Sequence, residues 1–155
     1  MDAYIVAVAG HFQRFCRSLH DEAVAAAANQ VTPASIGKLL GDRLSDGRQL
    51  DRGNARPAAL QADFRRFDIR LWDDLIQLDG RNRQRHQQLD QLNAWRNAVA
   101  HQGFPLSSST AMAVAGSART LRWARVCRGN CAALAQQIDS IVSLHLTSLI
   151  GRRPW

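Results

Sequence analysis

Residues 89–104 have the sequence LDQLNAWRNAVAHQGF, and the fold predicted for the whole chain starts from them. Large apolar residues recur there at steps of three and four, the spacing of the buried face of an α-helix: Leu89, Leu92, Trp95 and Val99. With about 100° between successive residues, a polar stripe lies roughly opposite that face: His86, Asp90, Asn93, Asn97 and His101. Arg96 lies beside the apolar face, and Gly103 stands where a helix is expected to end. We therefore expect the end of this helix to bring together an arginine, an amide and a histidine.

Helical spacing of apolar residues extends over most of the remaining sequence, and no segment convincingly predicts a strand. The predicted helices span about residues 3–29, 32–40, 58–78, 81–101 and 118–150, the last with an earlier start near Thr110 that is interrupted at Gly116. Two segments between them are predicted to be loops, 41–57 and 104–110, because glycine, proline or serine accumulates there. In the first helix, the polar group His20-Asp21-Glu22 is expected to face solvent, with a position near a partner as the alternative.

Length and composition favour a single domain over residues 1–155. The chain is 46% hydrophobic, which suits one core, and short connections between neighbouring helices favour a bundle. The predicted fold is therefore all-α, an up-and-down helical bundle of four to five helices. No apolar run reaches the length of a membrane span, and the short apolar run at residues 4–10 is followed at once by polar residues, unlike a signal peptide. We therefore expect a cytoplasmic protein with no membrane partner.

The three cysteines, Cys16, Cys127 and Cys131, are an odd number and do not indicate a disulfide framework in such a chain. Cys127 and Cys131 are four residues apart and could hold a metal ion together with His145 or His20. No second matching pair of ligands is evident, so small buried thiols are the preferred interpretation and no metal site is predicted.

The net charge of +7 and the pI near 10.9 point to an anionic partner, which could be RNA, DNA or an acidic protein. Nearly all of the basic residues are arginines, whose planar guanidinium suits phosphate, although a GC-rich genome produces the same bias. The most basic cluster on the motif helix, Arg81, Arg83 and Arg85, is a candidate for holding an RNA backbone. The arginines of segment 41–57 alternate with aspartates; they could reach over RNA or cancel locally, and the second interpretation is preferred.

The segment Arg96-Asn97-Ala98-Val99-Ala100-His101 resembles the motif of the HEPN superfamily, an arginine, a polar residue that is often asparagine, and a short gap to a histidine. An apolar and aromatic helix precedes the motif, as in that superfamily, and a glycine follows soon after the histidine. One departure is Gln102, which separates His101 from Gly103 where many members have glycine directly. The motif also lies in the penultimate helical segment of a small, all-helical chain, so the bundle is expected to be HEPN-like.

The resemblance implies a metal-independent endoribonuclease without a cofactor, and the chemistry of these side chains is consistent with that activity. His101 would act as general acid or base near neutral pH, Arg96 would hold the reacting phosphate, and Asn97 would orient both. The RNA itself supplies the nucleophile, its 2′-hydroxyl. By resemblance, we also expect a homodimer whose motifs face each other, and a role as the toxin of a toxin–antitoxin or phage-defence system with an antitoxin protein as partner.

Two other functions remain open at this point. The chain could be a non-catalytic HEPN-like helical module that binds RNA, a nucleotide or a protein partner; Asn97 and His101 would then cap the helix and bond to a neighbouring loop, while Arg96 pairs with an acid such as Asp90 or Asp73. A basic DNA-binding regulator is disfavoured because the usual helix-turn-helix spacing is not seen. The two leading hypotheses differ in one requirement, since catalysis alone needs the proton of the His101 imidazole.

Overall fold

The computed structural model describes residues 1–101, 106, 108–115, 117 and 119–155. Over those residues the protein consists of α-helices, one 3-10 turn and connecting segments, with no β-strand. The helices are α1 (Asp2–Ala28), α2 (Ala34–Ser45), α3 (Gln49–Arg52), α4 (Pro57–Phe64), α5 (Leu71–Leu78), α6 (Asn82–Ala100), α7 (Ser108–Ala113) and α8 (Leu121–Ile150). None of the described helices is both long enough and apolar enough to cross a lipid bilayer. The all-α prediction is confirmed, but the described residues form eight α-helices instead of four or five.

The core lies where the three long helices α1, α6 and α8 pack on one another, with α2 packed on α1. Each contributes a stripe of buried residues at helical spacing, because burying such a face is what stabilises a helix in a small domain. The stripe of α8 comprises Ala124, Cys127, Cys131, Leu134, Ile138, Val142 and Leu146. Leu121 and Leu149, near the two ends of this helix, are exposed, and the buried face ends in Val142 and Leu146. His145, beside it, is half-buried, with its Nε2 atom 2.7 Å from the carbonyl oxygen of Phe67.

The helix predicted over residues 58–78 is interrupted. After α4 the chain makes a 3-10 turn, and Asp68 then takes a left-handed conformation with φ of 64°. The side chain of Gln61 spans this break, since its Nε2 donates to the carbonyl of Ile69 and its Oε1 accepts from the backbone N–H of Trp72. The break turns Ile69 and Trp72 into the core, where a straight helix would have left Ile69 away from the Leu60–Phe64–Phe67–Leu71 face.

Much of segment 41–57 is helical, which corrects the prediction of a loop, although residues 46–48 and 53–56 lie outside the helices. The helix α2 continues to Ser45, and the short helix α3 follows it. The backbone N–H groups of Gln49 and Leu50 each donate to the fully buried carboxylate of Asp63, at 2.8 Å. From α1, the Nε of Arg17 donates to the carbonyl of Leu50 at 2.7 Å. These contacts join side chains to the backbone and leave no periodic signature in the sequence.

The arginine and aspartate side chains of this segment also do more than cancel in solvent. Arg48 is buried and bonds to Asp51 at 2.8 and 3.0 Å and to Asp21 at 2.5 Å. Its Nη1 lies 3.3 Å from Nδ1 of His20, which is fully buried against the rings of Phe64 and Phe67. The prediction that His20 faces solvent was therefore wrong, because a buried arginine and two aromatic rings give this imidazole an interior site.

The predicted loop 104–110 is only partly described. Residues 102–105 and 107 lie outside the described residues, and so does the expected helix end at Gly103. Ser108 to Thr110 belong to α7, so that this part of the predicted loop is helical. The early start of the last helix near Thr110 therefore corresponds to a separate short helix. The predicted interruption at Gly116 also lies outside the described residues.

The three cysteines are buried and free. Burial raises the pKa of Cys127 and of Cys131 to about 12, so both thiols are protonated at neutral pH. In the described part of the chain, no cluster of three or more histidine, cysteine, aspartate or glutamate side chains is arranged to hold a metal ion.

Candidate active site

The motif residues lie together at the carboxyl end of α6. His101 follows the last helical residue, its backbone N–H donates to the carbonyl of Asn97 at 3.0 Å, and its side chain is exposed. The Nη1 of Arg96 donates to Oδ1 of Asn97 at 3.2 Å. The same oxygen accepts a 2.6 Å bond from Nδ2 of Asn54. Because Oδ1 of Asn97 binds two donors at once, it fixes the guanidinium of Arg96 relative to a second segment of the chain.

That second segment forms the opposite wall of an open groove of about 380 Å³. The groove is lined by Gln49, Arg52, Gly53, Asn54, Arg56, Ala59, Arg96, Asn97 and His101. Three arginines and a histidine therefore surround a single concave surface. Within the described residues, none of these three arginines forms an ion pair with a carboxylate. The groove therefore has a net positive charge that an anionic ligand can neutralise.

Uncharged side chains hold the wall opposite α6 in place. Asn93 is buried in α6, and its Nδ2 donates to the carbonyls of Ala55 and Leu89 at 3.1 and 2.9 Å. Gln13 of α1 donates from Nε2 to the carbonyl of Gly53 at 2.5 Å. Because a buried amide without partners is costly, these bonds favour one position of residues 53–56 against α6. The spacing and depth of the groove follow from them.

The two arginines of the opposite wall, Arg52 and Arg56, were not singled out in the sequence. Their alternation with aspartates favoured local cancellation, and Asp51 does bind the neighbouring Arg48 instead. Asn54, which lies between the two arginines, places them at the groove by its bond to the motif residue Asn97. That bond joins residues 43 positions apart, so a single sequence offered no means to recognise it.

The predicted RNA-holding cluster at the start of α6 lies elsewhere. The helix is 19 residues long, so its start lies about 27 Å from the His101 end at 1.5 Å per residue. Arg85 is 11% exposed in its side chain and bonds to Asp79 and to Oδ1 of Asn82, at 2.9 and 2.8 Å. Arg81 also bonds to Asp79, and that guanidinium lowers the pKa of the carboxyl. Arg83 is exposed. The structure does not bring any of the three arginines to the motif.

Arg96 is half-buried rather than enclosed, and no acid neutralises it in the described part of the chain. The pairing with Asp90 or Asp73 that a purely structural motif would show is therefore not formed, although the bond of Asn97 to a neighbouring loop, which that alternative also expects, is formed with Asn54. An exposed imidazole, a fixed guanidinium and two further arginines can together bind a phosphodiester and move a proton at it.

Comparisons with known proteins add no further line of evidence about this groove. Its chemistry is therefore inferred from its own residues. No family model, no curated protein and no solved structure matches the chain.

Proposed function

We propose that the chain is a metal-independent endoribonuclease and that the groove at the end of α6 is its active site. The observation that supports the proposal is the position of His101, whose exposed imidazole shares one groove with Arg96, Arg52 and Arg56. Histidine is the side chain best suited to give or take a proton at neutral pH. The positive charge around it suits a phosphodiester, whose transition state carries additional negative charge on its oxygens.

The reaction that fits these groups is attack by the 2′-hydroxyl of a ribose on its own 3′-phosphate. A base takes the proton of the 2′-hydroxyl while the 2′-oxygen bonds to phosphorus, and an acid protonates the departing 5′-oxygen as its bond to phosphorus breaks. The products are a 2′,3′-cyclic phosphate and a 5′-hydroxyl. Arg96 holds the phosphate, because its bond to Oδ1 of Asn97 fixes the guanidinium at the groove. Arg52 and Arg56 bind the same or a flanking phosphate from the opposite wall.

The two proton transfers explain why a dimer is part of the proposal. His101 is the one histidine among the described residues that line the groove. A second copy of the chain, with its own motif facing the first, supplies the other acid or base. We propose this homodimer on the basis of the resemblance to the HEPN superfamily, together with a role as a toxin restrained by an antitoxin protein.

The test is cleavage of total RNA in EDTA by purified wild type, His101→Ala and Arg96→Ala, with His11→Ala as the control. His11 is an exposed histidine of α1 and does not line the groove. We expect wild type and the control to produce cyclic-phosphate ends. Loss of a general acid or base lowers the rate by about 100- to 10,000-fold, and we expect losses in this range for His101→Ala. Equal cleavage by wild type and His101→Ala would overturn the assignment.

A non-catalytic module that binds RNA, a nucleotide or a protein partner is the second candidate. The observation that favours it is the pair of bonds to Oδ1 of Asn97, which also suits a preformed binding site. The same four proteins separate the two functions. A folded wild type that binds RNA without cutting it, and a His101→Ala variant that binds equally well, would establish the binding module.

A further inference from the structure

A second groove adjoins the first along α6. It has a volume of about 460 Å³ and is lined by Arg56, Gln87, Asp90, Gln91, Ala94, Met112, Ala113 and Ala115. Four of these residues, Gln87, Asp90, Gln91 and Ala94, lie on one face of α6. The same face continues through Asn97 to His101. Arg56 lines both grooves, which are therefore neighbours across one side chain.

The distance between the two grooves suits adjacent parts of one nucleotide chain. Asp90 and Asn97 are seven positions apart on α6, which is about 10 Å along the helix axis. A phosphate at Asn97 and Arg96 would therefore lie about two helical turns from Asp90. Arg56, between the grooves, can neutralise that phosphate while a base extends from it along α6.

The second groove differs from the first in its chemistry. Asp90 places a carboxylate in it, which disfavours a second phosphate there. Nε2 of Gln91 donates to the carbonyl of Ala115 at 3.1 Å, so this side chain offers its Oε1 as an acceptor. Both side chains therefore present acceptors, and a matching ligand must present donors.

The other wall of the groove is apolar. Met112, Ala113 and Ala115 belong to α7 and the turn after it, and Met112 is 79% exposed. Together with Ala94 these residues offer a surface against which a flat ring can lie. A nucleobase is such a ligand, because it is a flat ring with hydrogen-bond donors on its edge.

We propose that this second groove binds a guanine base next to the phosphate held by the first groove, with Asp90 accepting from its N1–H and its exocyclic amino group. Guanine is the base whose Watson–Crick edge has two adjacent donors that match the two oxygens of a carboxylate. Gln87, Gln91 and Met112 complete the contact. The inference deepens the proposed function, because the phosphate it requires is the one placed in the active site.

The surroundings of Asp90 are consistent with this role. Asp90 is exposed, and the protein atoms around its carboxyl raise the pKa of that group by desolvation, while His86 and Arg56 act in the opposite direction. In the described part of the chain, Asp90 forms no ion pair and accepts no hydrogen bond from a side chain. A ligand with two donors would replace water at this exposed carboxylate with two directed hydrogen bonds.

The test uses the four 3′- and four 5′-nucleoside monophosphates, which the enzyme cannot cleave, titrated into wild type, Asp90→Asn and Asp73→Asn. Asp73 is an exposed aspartate of α5 and serves as the matched control. We expect one of the two guanosine nucleotides to bind wild type and the control at least about tenfold more tightly than the others, as a two-bond base contact does. Asp90→Asn should abolish this preference without weakening the other nucleotides.

Equal affinity for all four bases, no saturable binding of any nucleotide, or a guanine preference that survives Asp90→Asn would each overturn the inference. These results are independent of catalysis, because binding is measured without cleavage. Cleavage without a guanine preference would overturn the base site alone. A guanine preference that depends on Asp90, in a protein that cuts no RNA, would overturn the ribonuclease and leave a guanine-nucleotide site.

Discussion

The two ends of α6 are both rich in basic side chains, but they differ in what those side chains bind. At the start of the helix, Arg81 and Arg85 both bond to Asp79. At the other end, Arg96 shares a groove with Arg52 and Arg56, and none of them forms an ion pair within the described residues. Clusters of arginines in a sequence therefore do not by themselves locate an anion site. The acids that pair with them decide which cluster remains available.

The side chains that hold each end of α6 in place contribute to this difference. At the start of α6, Asp79 engages Arg81 and Arg85, and the buried amide of Asn82 also ties this end to Leu75 and Gln137. The groove end is tied by the amides of Asn54, Asn93 and Gln13, which bond to another amide and to backbone carbonyls. Because these contacts involve no acid, the charge of the arginines at the groove remains available to a ligand. The following three experiments test this distinction.

The largest expected effect is on the free energy of unfolding, when the aspartate near each end of α6 is replaced: Asp63 near the groove and Asp79 near the start. Asp63→Ala removes the fully buried carboxylate that accepts two backbone N–H groups of α3, and it leaves both donors unpaired. We expect the free energy of unfolding to fall by about 3–5 kcal/mol. Asp79→Ala removes two ion pairs of a half-buried carboxylate and should cost less, because Arg81 is exposed and Arg85 keeps its bond to Asn82. Urea unfolding followed by circular dichroism measures both. Equal losses in the two variants would contradict the view that the groove wall depends on a buried anchor.

A smaller effect is expected from the arginines themselves. We expect Arg52→Ala with Arg56→Ala to reduce the affinity for a non-cleavable 2′-O-methyl RNA by about tenfold. The slope of log affinity against log salt should fall by about 1.4, which is about 0.7 for each phosphate that the variant no longer neutralises. The matched pair, Arg81→Ala with Arg83→Ala, should leave the slope nearly unchanged. Fluorescence anisotropy over a range of salt concentrations gives both numbers. A larger decrease in the matched pair would place the RNA at the start of α6.

The smallest effect is a dependence on pH. Burial and the charge of Arg48 lower the pKa of His20, so the folded protein binds this proton less readily than the unfolded chain. Above the unfolded pKa of about 6.5, His20 is neutral in both states and does not reduce the free energy of unfolding. That free energy decreases as the pH falls below this value, because the unfolded chain takes up the proton more readily. Between pH 6.5 and 5.5, one proton accounts for at most about 1.4 kcal/mol. We expect His20→Gln to reduce this decrease, as measured by urea unfolding at the two pH values. An unchanged decrease would exclude His20 as its source.

The sequence predicted those parts of the fold whose stability comes from a regular apolar face. Long runs at helical spacing located α1, α6 and α8, because burial of a stripe leaves a period in the sequence. The break at Asp68 and the helix α3 were missed for the opposite reason. They depend on single bonds to Gln61 and Asp63, and such bonds leave no period.

Of the candidate site, the sequence predicted the residues on α6 but not those on the opposite wall of the groove. Arg96, Asn97 and His101 were found because they are neighbours on one helix, where spacing alone places them together. Arg52 and Arg56 were not found, since they reach the groove through the bonds of Asn54 and Asn93 to distant partners. The catalytic role, the dimer and the antitoxin partner stay predictions.

The bond between Asn54 and Asn97 determines when the groove can form during synthesis of the chain. At about 5–20 residues per second, a ribosome needs about 2–9 s to add the 43 positions that separate the two residues. Until then the growing chain carries Arg52 and Arg56 without the wall that faces them. If the groove is the ribonuclease site proposed above, that site is incomplete until both residues have been synthesised and the chain has folded back on itself.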